Sequence, residues 1–180
     1  YVHGVMASYG SDFEFTLIEK LQAVIATKPD IVCLPAGTIT HRHDGLFGFD
    51  TWWRANAPKG TVLVAAAGNN GNTTEFYPAA AGYALGVGAT GPKGFLAHFS
   101  NRGPWVDVYA RGADVVNAFP IGDYHYMEPP MAGQPDAHLP YGLARWSGTS
   151  FATPLVCGVI AAQMSSGGRS ARSAKRRVMR

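Results

Sequence analysis

Cysteine is scarce in this chain: Cys33 and Cys157 are the two in 180 residues, and each lies in an apolar run. Two thiols exclude a disulfide framework, and their spacing matches no metal-binding pattern. Buried free thiols are the expectation. They could pair only if a strand carrying Cys33 lay beside a helix carrying Cys157. Long apolar runs are missing as well. None reaches the ~18–20 residues that a bilayer-spanning helix needs. Charge is sparse at 15%, but with 47% hydrophobic residues and 22 glycines the composition is globular rather than disordered. Acidic residues are absent from the end of the chain, where Arg169, Arg172, Lys175, Arg176, Arg177 and Arg180 stand together. That stretch follows Ser165-Ser166-Gly167-Gly168 and shows almost no apolar periodicity. Residues 165–180 are therefore expected to form a flexible, solvated tail. No aromatic residues interleave its charges, so nucleic acid is not an expected partner.

What is present reads as alternating helix and strand. Leu17, Ile18, Leu21, Val24 and Ile25 recur at helical spacing within Phe13 to Ala26, and Pro29 follows. Ile31 to Leu34 is a short apolar strand, ended by Pro35-Ala36-Gly37. A short helix is predicted around 50–55. Strands are predicted at 61–67 and 83–89, with shorter ones at 106–110 and 115–119. Pro120 to Tyr141, rich in Pro, Gly and His, reads as one long surface loop. The last helix is predicted from Thr149 to about Met164. Apolar strands alternating with helices indicate an α/β layer with a parallel sheet. In such sheets ligands bind beyond the carboxyl ends of the strands, where the turns Pro35-Ala36-Gly37 and Gly68-Asn69 fall.

Two residues stand out chemically. Ser150, in Gly148-Thr149-Ser150-Phe151-Ala152-Thr153-Pro154, sits at a helix start. There, unpaired N–H groups and the helix dipole favour negative charge on a reacting oxygen. Taken alone, Thr149 or Ser150 is more often a simple helix cap. Pro154 fits best near the beginning of such a helix. Asn69 ends the strand Val64-Ala65-Ala66-Ala67-Gly68, and its amide could donate to a developing oxyanion. Taken alone, Asn69-Asn70-Gly71 is more often a plain turn. His41, His43 and Asp44 share a loop, but one loop cluster without a further ligand at the right spacing reads as solvated rather than metal-binding.

Together these segments resemble the subtilisin-like serine peptidases. Val62 to Gly71 is similar to the strand and turn that carry the family's oxyanion asparagine. Gly148 to Pro154 matches its nucleophile motif. Phe99-Ser100-Asn101-Arg102-Gly103 and Val106 to Ala110 look like the family's segments in the same order, and Asp30 to Gly37 resembles the strand bordering the substrate groove. The resemblance spans about Val2 to Met164. It implies a three-layer, doubly wound, mainly parallel α/β fold, here incomplete, over 1–164. It also implies a serine endopeptidase acting on peptide or protein substrates. Ser150 would be the nucleophile, with Asn69 and the Ser150 N–H holding the oxyanion. Gly37, Ala66, Ala67 and Gly68 would line the groove and the pocket for the side chain before the cleaved bond, and Thr149 would shape the oxyanion hole.

The departures from the family pattern are equally specific. The family's acid lies in an Asp-Ser/Thr-Gly turn and its base in a His-Gly-Thr-His helix start, and neither motif is in this chain. Both precede the serine in family order, so the chain reads as the C-terminal portion of a peptidase domain, inactive by itself. His3-Gly4 is half of the histidine motif, but Val2 to Met6 fits the following strand better. Pro35 removes a backbone donor where the family usually has a small polar residue. Calcium is common in the family; no site maps here, and no other cofactor is implied. Family habit places such enzymes outside the cell or in its envelope. A non-catalytic remnant that binds peptides is the competing reading. An α/β-hydrolase esterase is excluded, because its acid and histidine follow the serine and no Asp, Glu or His follows Ser150.

Overall fold

The computed structural model describes residues 14–41, 44–125 and 135–180. Its centre is a four-stranded parallel sheet in the order β1-β2-β3-β4, formed by Ile31–Leu34, Val62–Ala66, Ala84–Thr90 and Val108–Arg111. Helices α1 (Glu14–Ala26) and α2 (Phe47–Asn56) cover one face, and α3 (Thr149–Gly167) and α4 (Ala171–Val178) cover the other. This is the three-layer α/β arrangement that the family resemblance implied, built on the parallel sheet that the alternating pattern indicated.

Strand alternation distributes the core between the two layers. Val32, Leu34, Leu63 and Ala84 face Leu21 and Ile25 of α1 and Phe49 and Trp53 of α2. Val62, Val64, Leu85, Val87 and Ala89 face Ala152, Val156 and Ile160, which recur every four residues along α3. Leu85, Val64, Val87 and Ile160 are completely buried. Each such side chain stabilises the fold by roughly 1.5–3 kcal/mol. β2 is buried at every position, as a central parallel strand must be.

Three expectations are corrected. First, residues 165–180 are not an unstructured tail. α3 runs on to Gly167, Gly168 closes it in the left-handed conformation, and Ser170 caps α4 by accepting from the Ser173 N–H. Ala171 and Ala174 pack into the α3 core at 1% and 0% exposure, and Lys175 Nζ donates to the Ala84 carbonyl at 2.8 Å. Two small alanines, three apart, bury a helix face that shows no conventional apolar stripe.

Second, the expected loop 120–141 contains a β-ribbon in its described part. Gly122–Tyr124 (β6) pairs antiparallel with Ala137–Leu139 (β7). Val115–Ala118 (β5) likewise pairs with Leu143–Trp146 (β8). Phe119 stacks on Trp146, and the edge of Tyr124 meets both rings. Cross-strand contacts hold this ribbon, and they lie too far apart in sequence to show as local periodicity. Third, Cys33 is exposed and Cys157 half-buried, so neither thiol is sealed in the core. Pro154 lies in the second turn of α3, near its start as expected. It removes the N–H that would bond to the Ser150 carbonyl four residues earlier.

Tyr83 links the α2 layer to the sheet. Its ring stacks on Trp53 with centroids 6.2 Å apart, Arg54 lies over it, and its hydroxyl donates to Asp50. Burial first, and the bond to Asp50 second, push its phenol above the ordinary value. The folded chain thus keeps this proton to higher pH than the unfolded chain, whose phenol ionises near ~10. Stability from this group is complete below that pH and is lost as pH rises through the folded value. Urea midpoints measured from pH 8 to 11 should fall with pH, and Tyr83→Phe should make the fall shallower. An unchanged slope in the variant would contradict the assignment.

Candidate active site

The carboxyl ends of β1 and β2 and the amino end of α3 meet at one edge of the sheet, and Pro35, Asn69 and Ser150 come together there. Asn69 follows Gly68, whose φ of 94° is left-handed. A Cβ on Gly68 would lie 2.7 Å from Asn101 Nδ2 and 2.8 Å from the Phe76 ring, so only glycine fits. Thr149 is completely buried and makes three bonds to this turn. Its N–H donates to Asn69 Oδ1 at 2.8 Å, its hydroxyl donates to the same oxygen at 2.9 Å, and Gly68 N–H donates to that hydroxyl at 3.1 Å. The amide oxygen is thus held twice from one side, which fixes the orientation of the amide. Nδ2 is on the free side, near Gly148, where an added Cβ would come within 3.3 Å of it.

A second set of bonds holds the turn from below. Asn101 is completely buried. Its Nδ2 donates to the Ala67 carbonyl at 2.9 Å, its Oδ1 accepts from Asn70 N–H at 2.9 Å, and its N–H donates to the Gly68 carbonyl at 3.0 Å. Arg102 Nη1 donates to the Gly71 carbonyl at 2.8 Å. The motif at 99–103 was visible in the sequence, but its task of bracing the Asn69 turn was not.

Ser150 is half-buried in the first turn of α3, where no helical carbonyl is available to its N–H. Its hydroxyl donates to the Pro35 carbonyl at 2.8 Å. Pro35 offers no donor, but its carbonyl is used. None of the described histidines hydrogen-bonds to Ser150. The His98 ring packs edge-on against Phe99, while His125 pairs with Asp136 and His138 with Asp123 across the β6–β7 ribbon. His3 and His43 lie outside the described residues. Among the described residues no group of three or more His, Cys, Asp or Glu side chains converges on a metal position.

The residues expected to line a groove behave differently from one another. Pro35, Ala36 and Gly37 are exposed, which leaves their backbone open to a neighbour. Thr38 exchanges both backbone hydrogen bonds with Tyr77, each at 2.8 Å, and so anchors this wall. Ala66 and Ala67 are buried at 2% and 0%, so their side chains form the floor of the sheet edge rather than an open lining. Sequence reasoning missed Phe76. Its ring lies between the two glycines: a Cβ on Gly37 would come within 2.6 Å of it, and one on Gly68 within 2.8 Å. The ring fills the notch between the two strand ends. Nothing local to Glu75-Phe76-Tyr77 signals this, because the notch exists only once Gly37, far away in sequence, is brought beside Gly68.

A parallel α/β sheet with a serine at a helix start and a braced asparagine turn beside it defines a domain of the subtilisin-like class. The chain belongs to the subtilase family, whose sequence profile matches residues 2–179. It is similar to a thermophilic serine proteinase of Bacillus sp. (strain AK1), 43% identical over 112 residues, which cover 62% of this chain and 23% of that protein. It is also similar to thermitase of Thermoactinomyces vulgaris, 40% identical over 113 residues, covering 63% of this chain and 33% of that protein. Among solved structures, the patellamide maturation protease PatA superposes with a TM-score of 0.67 at 27% identity, over 93% of this chain and 58% of that one. A cold-adapted subtilisin-like serine proteinase superposes with a TM-score of 0.70 at 22% identity, which bears on the fold alone. The chain spans about a quarter to a third of the length of these curated relatives. Among the described residues no helix is long and apolar enough to cross a membrane.

Proposed function

We propose that this chain carries the nucleophile and the oxyanion-binding half of a serine endopeptidase site. The observation that carries the reading is the double anchoring of Asn69 Oδ1 by Thr149. It fixes the amide beside Ser150, with Nδ2 as the remaining donor. In this reading Ser150 Oγ attacks the carbonyl of a peptide bond. The negative charge that develops on the carbonyl oxygen is met by Asn69 Nδ2 and the Ser150 N–H. An extended substrate lies along the exposed backbone of 35–37 as an added strand. A serine also needs a base to take its proton, and no described histidine supplies one. The test is cleavage of a protein substrate by the polypeptide that contains this chain. Loss of cleavage on Ser150→Ala supports the reading, and cleavage at the parent rate overturns it.

Phe76 sets the substrate class within this reading. With its ring between Gly37 and Gly68, the residue before the scissile bond has room for little more than glycine or alanine. Phe76→Ala should raise kcat/KM for peptides with a large side chain there by roughly tenfold or more relative to alanine peptides. An unchanged preference would place the pocket elsewhere. Action outside the cell or at its envelope is part of the same proposal; one relative is named a cell wall-associated protease of Bacillus subtilis.

One observation favours a second reading. Ser150 spends its hydroxyl proton on the Pro35 carbonyl rather than on a base. A chain that remains so would hold peptides against 35–37 without cutting them. Peptide binding with no turnover, unaffected by Ser150→Ala, would select this alternative.

A further inference from the structure

The two cysteines, 124 positions apart in sequence, meet between β1 and α3. Val32 and Leu34 of β1 point to the α1/α2 side, whereas Ile31 packs against the α3/α4 core. Cys33, two residues after Ile31, shares that face. Cys157 follows the buried Val156 on α3 and packs against the same core. The strand and the helix pack directly on one another, which sets the two thiols beside each other across this seam. Cys33 retains contact with solvent and Cys157 is half-buried. Cys33 is therefore the more exposed of the two residues, and Cys157 lies on the helix packed against its strand.

We propose that Cys33 and Cys157 are a paired thiol modification site, closed to an intramolecular disulfide by a low-molecular-weight disulfide such as oxidised glutathione. The environment assigns the order of events. The neighbouring Cys157 thiol holds the Cys33 thiol below its ordinary value, against a smaller opposing effect of partial desolvation. The Cys33 sulfur, and then burial, push the Cys157 thiol up. Thiolate is the attacking form, so Cys33 reacts first. Its sulfur attacks one sulfur of the oxidant. The Cys33–S–S–R bond forms, the oxidant's S–S bond breaks and one RS⁻ leaves. Cys157 then loses its proton to water and attacks the Cys33 sulfur. The protein disulfide forms, the mixed disulfide breaks and a second RS⁻ leaves. Two protein thiols are oxidised and one disulfide is reduced to two thiols. Closure ties the strand that ends just before Pro35 to the helix that begins beside Ser150. Neither sulfur takes part in the proposed hydrolysis, so the inference stands apart from it.

The experiment is incubation of the full chain with oxidised glutathione, followed by thiol titration in denaturant and intact-mass measurement. The parent should pass from two titratable thiols to none and lose two hydrogens in mass. A non-reducing digest should contain a Cys33–Cys157 linked peptide. Cys157→Ser removes the resolving thiol and should accumulate a glutathione adduct on Cys33. Cys33→Ser should stay largely unmodified. Two titratable thiols remaining in the parent, a chain-to-chain dimer in place of the internal link, or faster modification of Cys157 than of Cys33 would overturn the proposal.

Discussion

Ser150→Ala, made in the polypeptide that contains this chain, is expected to lower kcat for peptide hydrolysis by a factor on the order of 10⁶. That is the size of the loss measured in subtilisin when its nucleophile is removed. The loss should fall on kcat while substrate binding persists, because the exposed backbone of 35–37 is untouched. The fold should survive. The Ser150 side chain makes one described hydrogen bond, to the Pro35 carbonyl. A bond of that kind contributes about 0.5–1.5 kcal/mol. An unfolding midpoint close to the parent's, together with abolished turnover, separates loss of the nucleophile from loss of structure. Retained turnover would remove Ser150 from the reaction and return Gly148 to Pro154 to the status of a helix cap.

The second large effect is expected at Asn69. Removing one preorganised donor to an oxyanion costs about 10²–10³ in kcat, or about 2.7–4 kcal/mol; subtilisin's asparagine is the measured case. Asn69→Ala should show that loss with KM nearly unchanged, since the amide would act on charge that exists only in the transition state. A raised KM with intact kcat would make Asn69 a substrate contact instead. The Thr149 hydroxyl and N–H together hold Oδ1 and leave Nδ2 as the donor. An asparagine free to rotate would pay for its orientation at every turnover; this one is oriented before substrate arrives.

Most of the layer architecture was legible in the chain. The apolar runs at Ile31 to Leu34 and Val62 to Ala66 became neighbouring parallel strands, because segments apolar at consecutive positions need cover on both faces. α1 followed its periodicity and ends at Ala26, as predicted. The failures share one physical cause. The β6–β7 ribbon, the burial of Ala171 and Ala174 and the position of Phe76 all depend on partners distant in sequence. A local window sees a Pro- and Gly-rich loop, a basic tail and an ordinary aromatic residue. Cys33 failed for the converse reason: its apolar neighbours suggested burial, yet β1 lies at the edge of the described sheet, where strand composition does not ensure cover.

By itself the sequence determined the family, the parallel sheet, and the identities of Ser150 and Asn69 as the residues to examine. These follow from short-range facts: which residue types stand together, and in what order. Only the tertiary structure decided that Thr149 orients Asn69, that Asn101 braces the turn, that Phe76 occupies the notch between Gly37 and Gly68, and that Cys33 faces Cys157. Each of these includes a contact across dozens of residues. Such contacts come from packing a sheet edge against a helix start, and no spacing within the chain encodes them.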